Sequence, residues 1–202
     1  MKLYDTKQAP NPRRVRIFLA EKAIEVESIQ MDLQAGDNLS KDYLSKNPFS
    51  KVPILELDDG TIISETVAIC RYFEELQPQP ALMGSDPLQK AHIEMWQRRA
   101  EFHFMFPVGM GFQHTSGFFK DRMTPRVDFG EDCIKSAYHF LKLAETHLAS
   151  SAYLASDSFS IADITFFCAL EFGKVINIRL SEKHPNIERW YQQMKQRPSS
   201  QA

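Results

Sequence analysis

A proline at the start of a short apolar run is the feature that most limits how this chain folds. Residues 51–57 read Lys-Val-Pro-Ile-Leu-Glu-Leu. Because proline has no N–H, Pro53 is tolerated at the beginning of a strand, where a cis bond can expose the backbone of the preceding residue. We expect an extended ligand to pair with the N–H and C=O of Val52 as an added strand, while Lys51 offers a cation beside it.

Glu65 and Thr66 follow that run by eight residues and are predicted to hold the other end of the ligand. The Glu65 carboxylate accepts hydrogen bonds from an ammonium, and the hydroxyl and N–H of Thr66 at a helix start hold a carboxylate. An ammonium and two carboxylates on a short peptide describe glutathione. A proline-initiated strand and a Thr-started helix also occur in folds that bind nothing there, so the order of the elements decides between the two interpretations.

The pattern of apolar residues predicts the order strand, helix, strand, helix, strand, strand, helix over the first part of the chain. An Asp-Gly pair at Asp59-Gly60 is a strong hairpin signal between the last two strands. The predicted strands span 2–4, 26–31, 53–57 and 61–64, and the predicted helices span 13–23, a short stretch near 43–44, and 65–76.

The rest of the chain is predicted to be helical. Two prolines in the sequence Gln-Pro-Gln-Pro at 77–80 end the preceding helix, because proline cannot continue it. We therefore expect an α/β domain over 1–76, a linker over 77–86 and an all-helical domain over 87–202. The predicted helices of the second domain span 88–119, 125–149, 162–176 and 186–195.

Three motifs resemble those of one known family. The α/β order with Pro53 resembles the thioredoxin-like domain of the glutathione transferases, and residues 47–53 and 64–69 resemble its loop into a cis-proline and its acidic-Ser/Thr motif. Residues 159–164 resemble the capping box of the family's helical domain, in which Ser160 and Asp163 bond each other's backbone N–H. Residues 9–16 and 112–115 are similar to the fungal and bacterial Gtt2-like branch.

The resemblance implies a cytosolic enzyme with glutathione as co-substrate. It implies attack of the bound glutathione thiolate on a small apolar electrophile, and a homodimer in which the first domain of one subunit meets the second domain of its partner. The residues that it implies for glutathione binding are Asn11, Lys51, Val52, Pro53, Glu65 and Thr66.

Asn11 stands where many members of the family carry a Ser or Cys that holds the glutathione sulfur as a thiolate. An Asn N–H can donate one hydrogen bond to a thiolate but cannot take its proton, and the helix N-terminus after Pro12 adds favourable partial charge. Asn11 could equally be an N-cap before a proline at the first helical position, and the two roles can coexist. Tyr4 lies within the first strand on an undetermined face, and we assign it no catalytic role.

His114 is the second catalytic candidate. We expect Pro107, Gly109 and Gly111 to interrupt the long helix before it and to open space there. By resemblance to the Gtt2-like branch, His114 could be a general base or could position a water on the sulfur, although a lone histidine is often structural. His92, His103 and His114 are eleven residues apart, about 16 Å per step on a helix, and so cannot share a metal.

Aromatic and Met side chains near this point are predicted to line the acceptor-substrate site, because they form an adaptable apolar wall. Packing in the core is the alternative for each of them. The side chains assigned to the acceptor site are Phe106, Met110, Phe112 and Phe118.

Composition excludes several other functions. A net charge of −2 gives no reason to expect nucleic acid or a membrane as partner, and we expect the cluster Arg13, Arg14 and Arg16 to be mostly solvated. No run of about 18 apolar residues occurs, and the three cysteines are widely spaced, so we expect a cytoplasmic protein without a metal or disulfide framework.

Two rival functions stay open from the sequence. One is a reductase that uses the same bound glutathione on disulfides or peroxides, which fits the absence of a Tyr, Ser or Cys at the activating position. The other is an interaction module with the transferase fold and no catalysis, as in stringent-starvation-type and elongation-factor-associated relatives. An intact set of Lys51, Pro53, Glu65 and Thr66 speaks against the module.

Overall fold

The structure is a computed structural model that describes residues 1–155 and 157–202. The chain forms two compact units, Met1–Ala81 with Gln201–Ala202, and Leu82–Ser200. The predicted fold class, a thioredoxin-like α/β part followed by a helical part, is confirmed. The finer division into 1–76, a linker at 77–86 and 87–202 stays a prediction.

The first unit has the predicted order of elements. The elements are β1 Lys2–Asp5, α1 Pro10–Glu21, β2 Glu27–Gln30, α2 Lys41–Lys46, β3 Ile54–Glu56, β4 Ile62–Ser64 and α3 Thr66–Leu76, and a short 3-10 turn, Asp37–Leu39, precedes α2. The sheet has the strand order β2-β1-β3-β4, in which β1 is parallel to β2 and antiparallel to β3. Parallel neighbours need a crossover connection, and α1 supplies it.

The strand register brings three segments to one end of this sheet. Tyr4 of β1 is paired with Ile54 of β3, and Ile54 is paired with Ser64 of β4. Because both pairings are antiparallel, the carboxyl ends of β1 and β4 lie at the same end as the amino end of β3. Pro53 and Glu65, each one residue beyond the Ile54–Ser64 pair, therefore lie beside the segment that leads from β1 into α1.

A buried ammonium ties α1 to the end of α3. Lys22 is 2% exposed, and its Nζ lies 2.7 Å from the Gln77 carbonyl oxygen, 2.8 Å from that of Pro80 and 2.7 Å from Glu74 Oε2. The Gln77 side chain donates in return to the Lys22 carbonyl at 2.7 Å. Two carbonyl acceptors and one carboxylate partner thus offset the cost of burying this ammonium. Pro78 and Pro80 follow the end of α3, as predicted, whereas the contacts of Lys22 with this segment were not predicted.

One arginine of the basic cluster departs from the prediction. We expected Arg13, Arg14 and Arg16 to be mostly solvated, but Arg14 is 2% exposed. Its Nη1 donates to the Asn11 side-chain oxygen at 3.1 Å. Arg16 is also engaged, because its Nη1 lies 2.5 Å from Oδ1 of the buried Asp5. The prediction was wrong for Arg14 because the helical position of a charged residue alone does not reveal a buried polar network.

We predict that Lys22→Met lowers the free energy of unfolding by about 3 kcal/mol, because it removes one partner of a buried ion pair and the donor to two carbonyls. Lys7→Met is the matched control, since Lys7 is an exposed lysine of the same unit. Urea unfolding of both variants measures the difference. Equal stabilities of the two variants would contradict the role assigned to Lys22.

The second unit is helical, with α7 at its centre. Nearly every side chain of α7 is buried, and Phe166 lies between the rings of Phe104, Phe140 and Trp190 at centroid distances of 5.1, 5.5 and 4.8 Å. A helix that is apolar all round is expected in the middle of a bundle. The elements are α4 Pro87–Ala100, a π-helical turn Glu101–Met105, α5 Phe106–Thr115, α6 Val127–Leu148, α7 Ile161–Gly173, a 3-10 turn Lys174–Ile176, α8 Pro185–Lys195 and a final 3-10 turn Pro198–Gln201.

The predicted capping box at the start of α7 is confirmed. Asp163 is fully buried, and its Oδ2 accepts from the backbone N–H and the hydroxyl of Ser160, both at 3.0 Å. The other oxygen accepts from the Leu154 N–H and the Trp190 indole N–H, both at 2.9 Å. Asp163 therefore also fixes the preceding loop and α8, two contacts that the motif alone did not predict.

The helix is not interrupted where we expected. Pro107, Gly109 and Gly111 lie within the continuous helix α5, and the irregularity comes earlier, where the Phe106 N–H bonds to the carbonyl of Glu101, five residues back. Pro107 has no N–H to offer the preceding turn, and a π turn is one way for a helix to accommodate that.

Gly111 has a packing role instead. A Cβ at this position would lie 2.9 Å from Ile134 of α6 and 3.0 Å from Ile176, so the glycine permits a close approach. No described atom lies within 4 Å of the corresponding point at Gly109.

We predict opposite effects for two substitutions in α5. Gly111→Ala forces neighbouring side chains apart and lowers the free energy of unfolding by about 1–3 kcal/mol. Gly109→Ala has room for its methyl group and raises the free energy of unfolding by up to about 1 kcal/mol, because alanine favours a helix. Thermal unfolding of the two variants checks this, and a stabilising Gly111→Ala would refute the packing role.

Candidate functional site

The peptide backbone around Pro53 has the cis bond that the sequence allowed for. The Val52–Pro53 bond is cis and Val52 is half-buried. Within residues 1–155 and 157–202, no group is hydrogen-bonded to the N–H or C=O of Val52. The exposed Lys51 precedes Val52.

Glu65 has a backbone conformation that a side chain rarely adopts. Its φ is +70° and its ψ is 122°, and it is the residue immediately before α3. The side chain is exposed, and no described residue forms a hydrogen bond or ion pair with its carboxylate. Such a conformation costs on the order of 1–3 kcal/mol and is typical of functional positions. Among the described residues, the carboxylate therefore has no structural partner.

Thr66 begins α3 and is 7% exposed. The first N–H groups of a helix lack intrahelical partners, and the helix dipole favours an anion there. A carboxylate is therefore the expected ligand at Thr66, beside the negative charge of Glu65 that attracts an ammonium. The register places both residues at the end of the sheet where Val52 and Pro53 lie.

Asn11 lies inside α1, which corrects one of the two interpretations. The helix begins at Pro10 and its N-cap is Ala9, so Asn11 is not an N-cap. Its Oδ1 accepts from Arg14, which leaves the amide N–H groups without a partner among the described residues. The exposed side chain therefore offers donors at the N-terminal turn of a helix.

Tyr4 is engaged elsewhere. It points toward α2, where its ring lies 5.8 Å from that of Tyr43, and its hydroxyl donates to Glu56 Oε2 at 2.8 Å. The Lys46 ammonium is 2.7 Å from the same oxygen. Lys46, together with the Tyr4 hydroxyl, holds the pKa of Glu56 below its ordinary value, so the acceptor stays ionised. The Tyr4 proton is thus committed to Glu56.

His114 lies in the last turn of α5 and has a defined tautomer. Its Nδ1 accepts from the backbone N–H of Arg126 at 2.9 Å, and its ring meets that of Phe129 edge-on at 5.2 Å. Because Nδ1 uses its lone pair, the proton of the neutral ring is on Nε2. The ring therefore presents a donor rather than a base.

The four side chains predicted for the acceptor site form two groups. Phe106 and Met110 are four apart on α5 and share a helical face, and Phe106 is 55% exposed. Phe112 and Phe118 are in ring contact at 5.5 Å. Phe172 of α7 joins the second group, 4.9 Å from Phe112. The sequence analysis missed Phe172 because a uniformly apolar helix gives no hint of which side chain turns outward.

Two negative findings concern the described residues only. Nowhere in 1–155 and 157–202 do three or more His, Cys, Asp or Glu side chains come together as a metal site. None of the helices in that part of the chain has the length and apolar content needed to cross a bilayer.

Comparison with known proteins identifies the family. Residues 9–76 match the model of the glutathione S-transferase N-terminal domain, and residues 131–198 match that of the C-terminal domain. Glutathione S-transferase 2 of Saccharomyces cerevisiae is 38% identical over 203 residues, which cover 98% of this chain and 87% of that protein. The crystal structure of Gtt2 from Saccharomyces cerevisiae superimposes with a TM-score of 0.95, covering 100% of this chain and 99% of that one, at 38% identity.

A further relative has a longer chain. Elongation factor 1-gamma 1 of Oryza sativa is 32% identical over 190 residues, which cover 90% of this chain and only 44% of that protein. The two family models match residues 9–76 and 131–198, and the 38% identical relative covers nearly the whole chain. The chain belongs to the glutathione S-transferase family. The resemblance to its Gtt2-like branch is confirmed.

We predict that Glu65→Gly is more stable than Glu65→Ala by about 1 kcal/mol. Both substitutions remove the carboxylate, but glycine adopts a positive φ without the steric penalty that alanine meets. Chemical unfolding of the two variants under identical conditions measures the difference. An Ala variant as stable as the Gly variant would show that the backbone at Glu65 is not strained.

Proposed function

We propose that this chain is a glutathione transferase whose glutathione lies along Val52. The single observation that carries the proposal is that two groups without hydrogen-bond partners among the described residues, the Val52 peptide and the Glu65 carboxylate, lie at the same end of the sheet. The peptide backbone of glutathione pairs with Val52 before Pro53, and its ammonium pairs with Glu65. A glutathione carboxylate binds at Thr66, with Lys51 supplying a further positive charge.

Asn11 is the group we propose for the sulfur. A thiol with its ordinary pKa near 8.5 is mostly protonated at neutral pH, and the thiolate is the nucleophile. The free amide N–H of Asn11 donates to the thiolate, and the positive end of the α1 dipole stabilises the same charge. Both effects lower the pKa of the bound thiol without any proton transfer to the protein.

His114 is a supporting group in this proposal. With its proton on Nε2 the ring donates a hydrogen bond, so of the two roles that the sequence left open we propose the positioning of a water rather than general-base catalysis. A general base at Nε2 would require the ring proton to be on Nδ1, where it would face the N–H of Arg126 and replace a hydrogen bond by two opposed donors. Phe106, Met110, Phe112 and Phe118 stay our proposed contacts to a small apolar electrophile, which fits a role in detoxification.

A homodimer and a cytoplasmic location belong to the same proposal. The exposed apolar side chains of α4 and the π turn support a partner for that face, because Leu88 is 67% and Phe102 57% exposed. We propose a second copy of this chain as that partner. No contact with nucleic acid is proposed, since the net charge of −2 provides no attraction for it.

The interaction module is the second candidate, favoured by the similarity to elongation factor 1-gamma 1. It differs from the transferase in needing no glutathione. The reductase is distinguished by its products, since turnover of a glutathione mixed disulfide or a hydroperoxide, with none of an aryl halide, would favour it.

We predict saturable calorimetric binding of glutathione to the wild-type protein and a loss of at least about ten-fold in affinity for Glu65→Ala, because a charge-assisted contact is removed. Glu25→Ala is the control, since Glu25 is an exposed glutamate of the same unit without a hydrogen bond among the described residues. The control should bind as the wild type does. No binding to the wild type would remove the proposed function and favour the module.

A further inference from the structure

The loop before Pro53 is held by three side chains to which no individual role was assigned from the sequence, Asn38, Tyr43 and Asn47. The carbonyl of Lys51 accepts two hydrogen bonds, from the Tyr43 hydroxyl at 2.6 Å and from the Asn47 amide at 2.8 Å. The carbonyl of Ser50 accepts a third, from the Asn38 amide at 2.7 Å. Two consecutive carbonyls are therefore fixed in direction by three side chains.

The geometry of the peptide group carries this restraint to Val52. The C=O of Lys51 and the N–H of Val52 belong to one peptide unit, which is planar and trans, so they point in opposite directions. Two donors hold the carbonyl on the side of α2. The Val52 N–H therefore points away from α2. That N–H is the group without a partner among the described residues, to which the proposed ligand binds.

The restraint is rigid because its donors are buried. Tyr43 is 2% and Asn47 3% exposed. The Asn47 Oδ1 also accepts from the Phe49 N–H at 3.2 Å, which fixes which end of the amide faces Lys51. Burial raises the pKa of the Tyr43 hydroxyl, so it stays a protonated donor throughout the neutral range. Two donors on one carbonyl also polarise the peptide and make its N–H a better donor.

Ser50 sets the path of the chain into this peptide. Its φ is +52°, a left-handed conformation that reverses the chain direction, and its N–H donates to the Asn47 carbonyl at 3.0 Å. The Asn38 bond to the Ser50 carbonyl secures that conformation from the other side. The loop is thus built to present one peptide in one orientation.

We propose that Tyr43 and Asn47 are positioning residues for glutathione, which orient the Lys51–Val52 peptide so that the Val52 N–H meets the ligand backbone. The inference rests on the proposed function and adds two residues that touch no ligand themselves. Their contribution is pre-organisation, since a free peptide would have to be ordered when the ligand binds.

The test compares Tyr43→Phe with Tyr72→Phe. Tyr72 is a half-buried tyrosine of the same unit whose hydroxyl has no hydrogen bond among the described residues. We expect Tyr43→Phe to raise the dissociation constant for glutathione about five-fold, the effect of one net hydrogen bond, while Tyr72→Phe binds like the wild type. Titrations are run well below the unfolding temperature of each variant, so that every sample is folded.

Amide hydrogen exchange at Val52 separates positioning from simple loss of stability. In the wild-type protein, saturating glutathione should slow the exchange of the Val52 amide, and Tyr43→Phe should reduce that protection at equal saturation. Asn47→Asp provides a second variant, because it keeps an acceptor for the Phe49 N–H but sets an oxygen against the Lys51 carbonyl. It should weaken binding more than Tyr43→Phe.

The outcomes distinguish the inference from the function on which it rests. Wild-type binding with unchanged affinity and unchanged Val52 protection in Tyr43→Phe overturns the positioning role alone. Equal weakening by Tyr43→Phe and Tyr72→Phe also overturns it, since the effect would not depend on the Lys51 carbonyl. No glutathione binding to the wild type overturns the proposed function and this inference together.

Discussion

The position of β1 in the sheet is the constraint on which the proposed site depends. β1 lies between a parallel and an antiparallel neighbour, and only the antiparallel pairing with β3 brings the end of one strand beside the start of the other. The hairpin of β3 and β4 then adds the start of α3 to the same end. The register places Val52 and Glu65 at that end of the sheet, where the segment that leads to Asn11 in α1 also begins.

Polar groups in the core and polar groups at the end of the sheet differ in the number of their hydrogen-bond partners. The buried Lys22 donates to two carbonyl oxygens and forms an ion pair with Glu74, and the buried Asp163 carboxyl accepts four hydrogen bonds. At the end of the sheet the opposite holds, because the Val52 peptide and the Glu65 carboxylate are left without partners in the described chain. In the proposed function these two groups serve the ligand, and the positive φ of Glu65 is the kind of backbone strain that occurs at functional positions.

Local signals explain why part of the account could be predicted from the sequence. Pro53 before an apolar run, the Asp59-Gly60 turn and the Ser160–Asp163 box each act within a few residues, and the structure bears out all three. Arg14 was expected to be solvated yet is buried, and the oxygen atoms around the buried Lys22 ammonium come from a distant part of the sequence. Sequence spacing likewise could not reveal the peptide orientation at Lys51, which depends on side chains of a neighbouring helix.

The glycines of α5 are a second case in which the sequence alone could not predict the structure. Beside Pro107 they suggested a break, yet Gly111 is explained by Ile134, a residue of another helix, and the helix adjusts its register upstream of the proline. Glycines beside a proline are compatible with a kinked helix and equally with a straight helix that packs closely against a neighbour. Only the position of the facing helix separates them.

The crystal structure of the complex with glutathione tests the central claim most directly. The account predicts the Val52 N–H within hydrogen-bond distance of a backbone carbonyl of the ligand, the ligand ammonium at the Glu65 carboxylate, and the sulfur beside the Asn11 amide. Glutathione bound away from Val52 and Glu65, or bound there with its sulfur turned from Asn11, would contradict it.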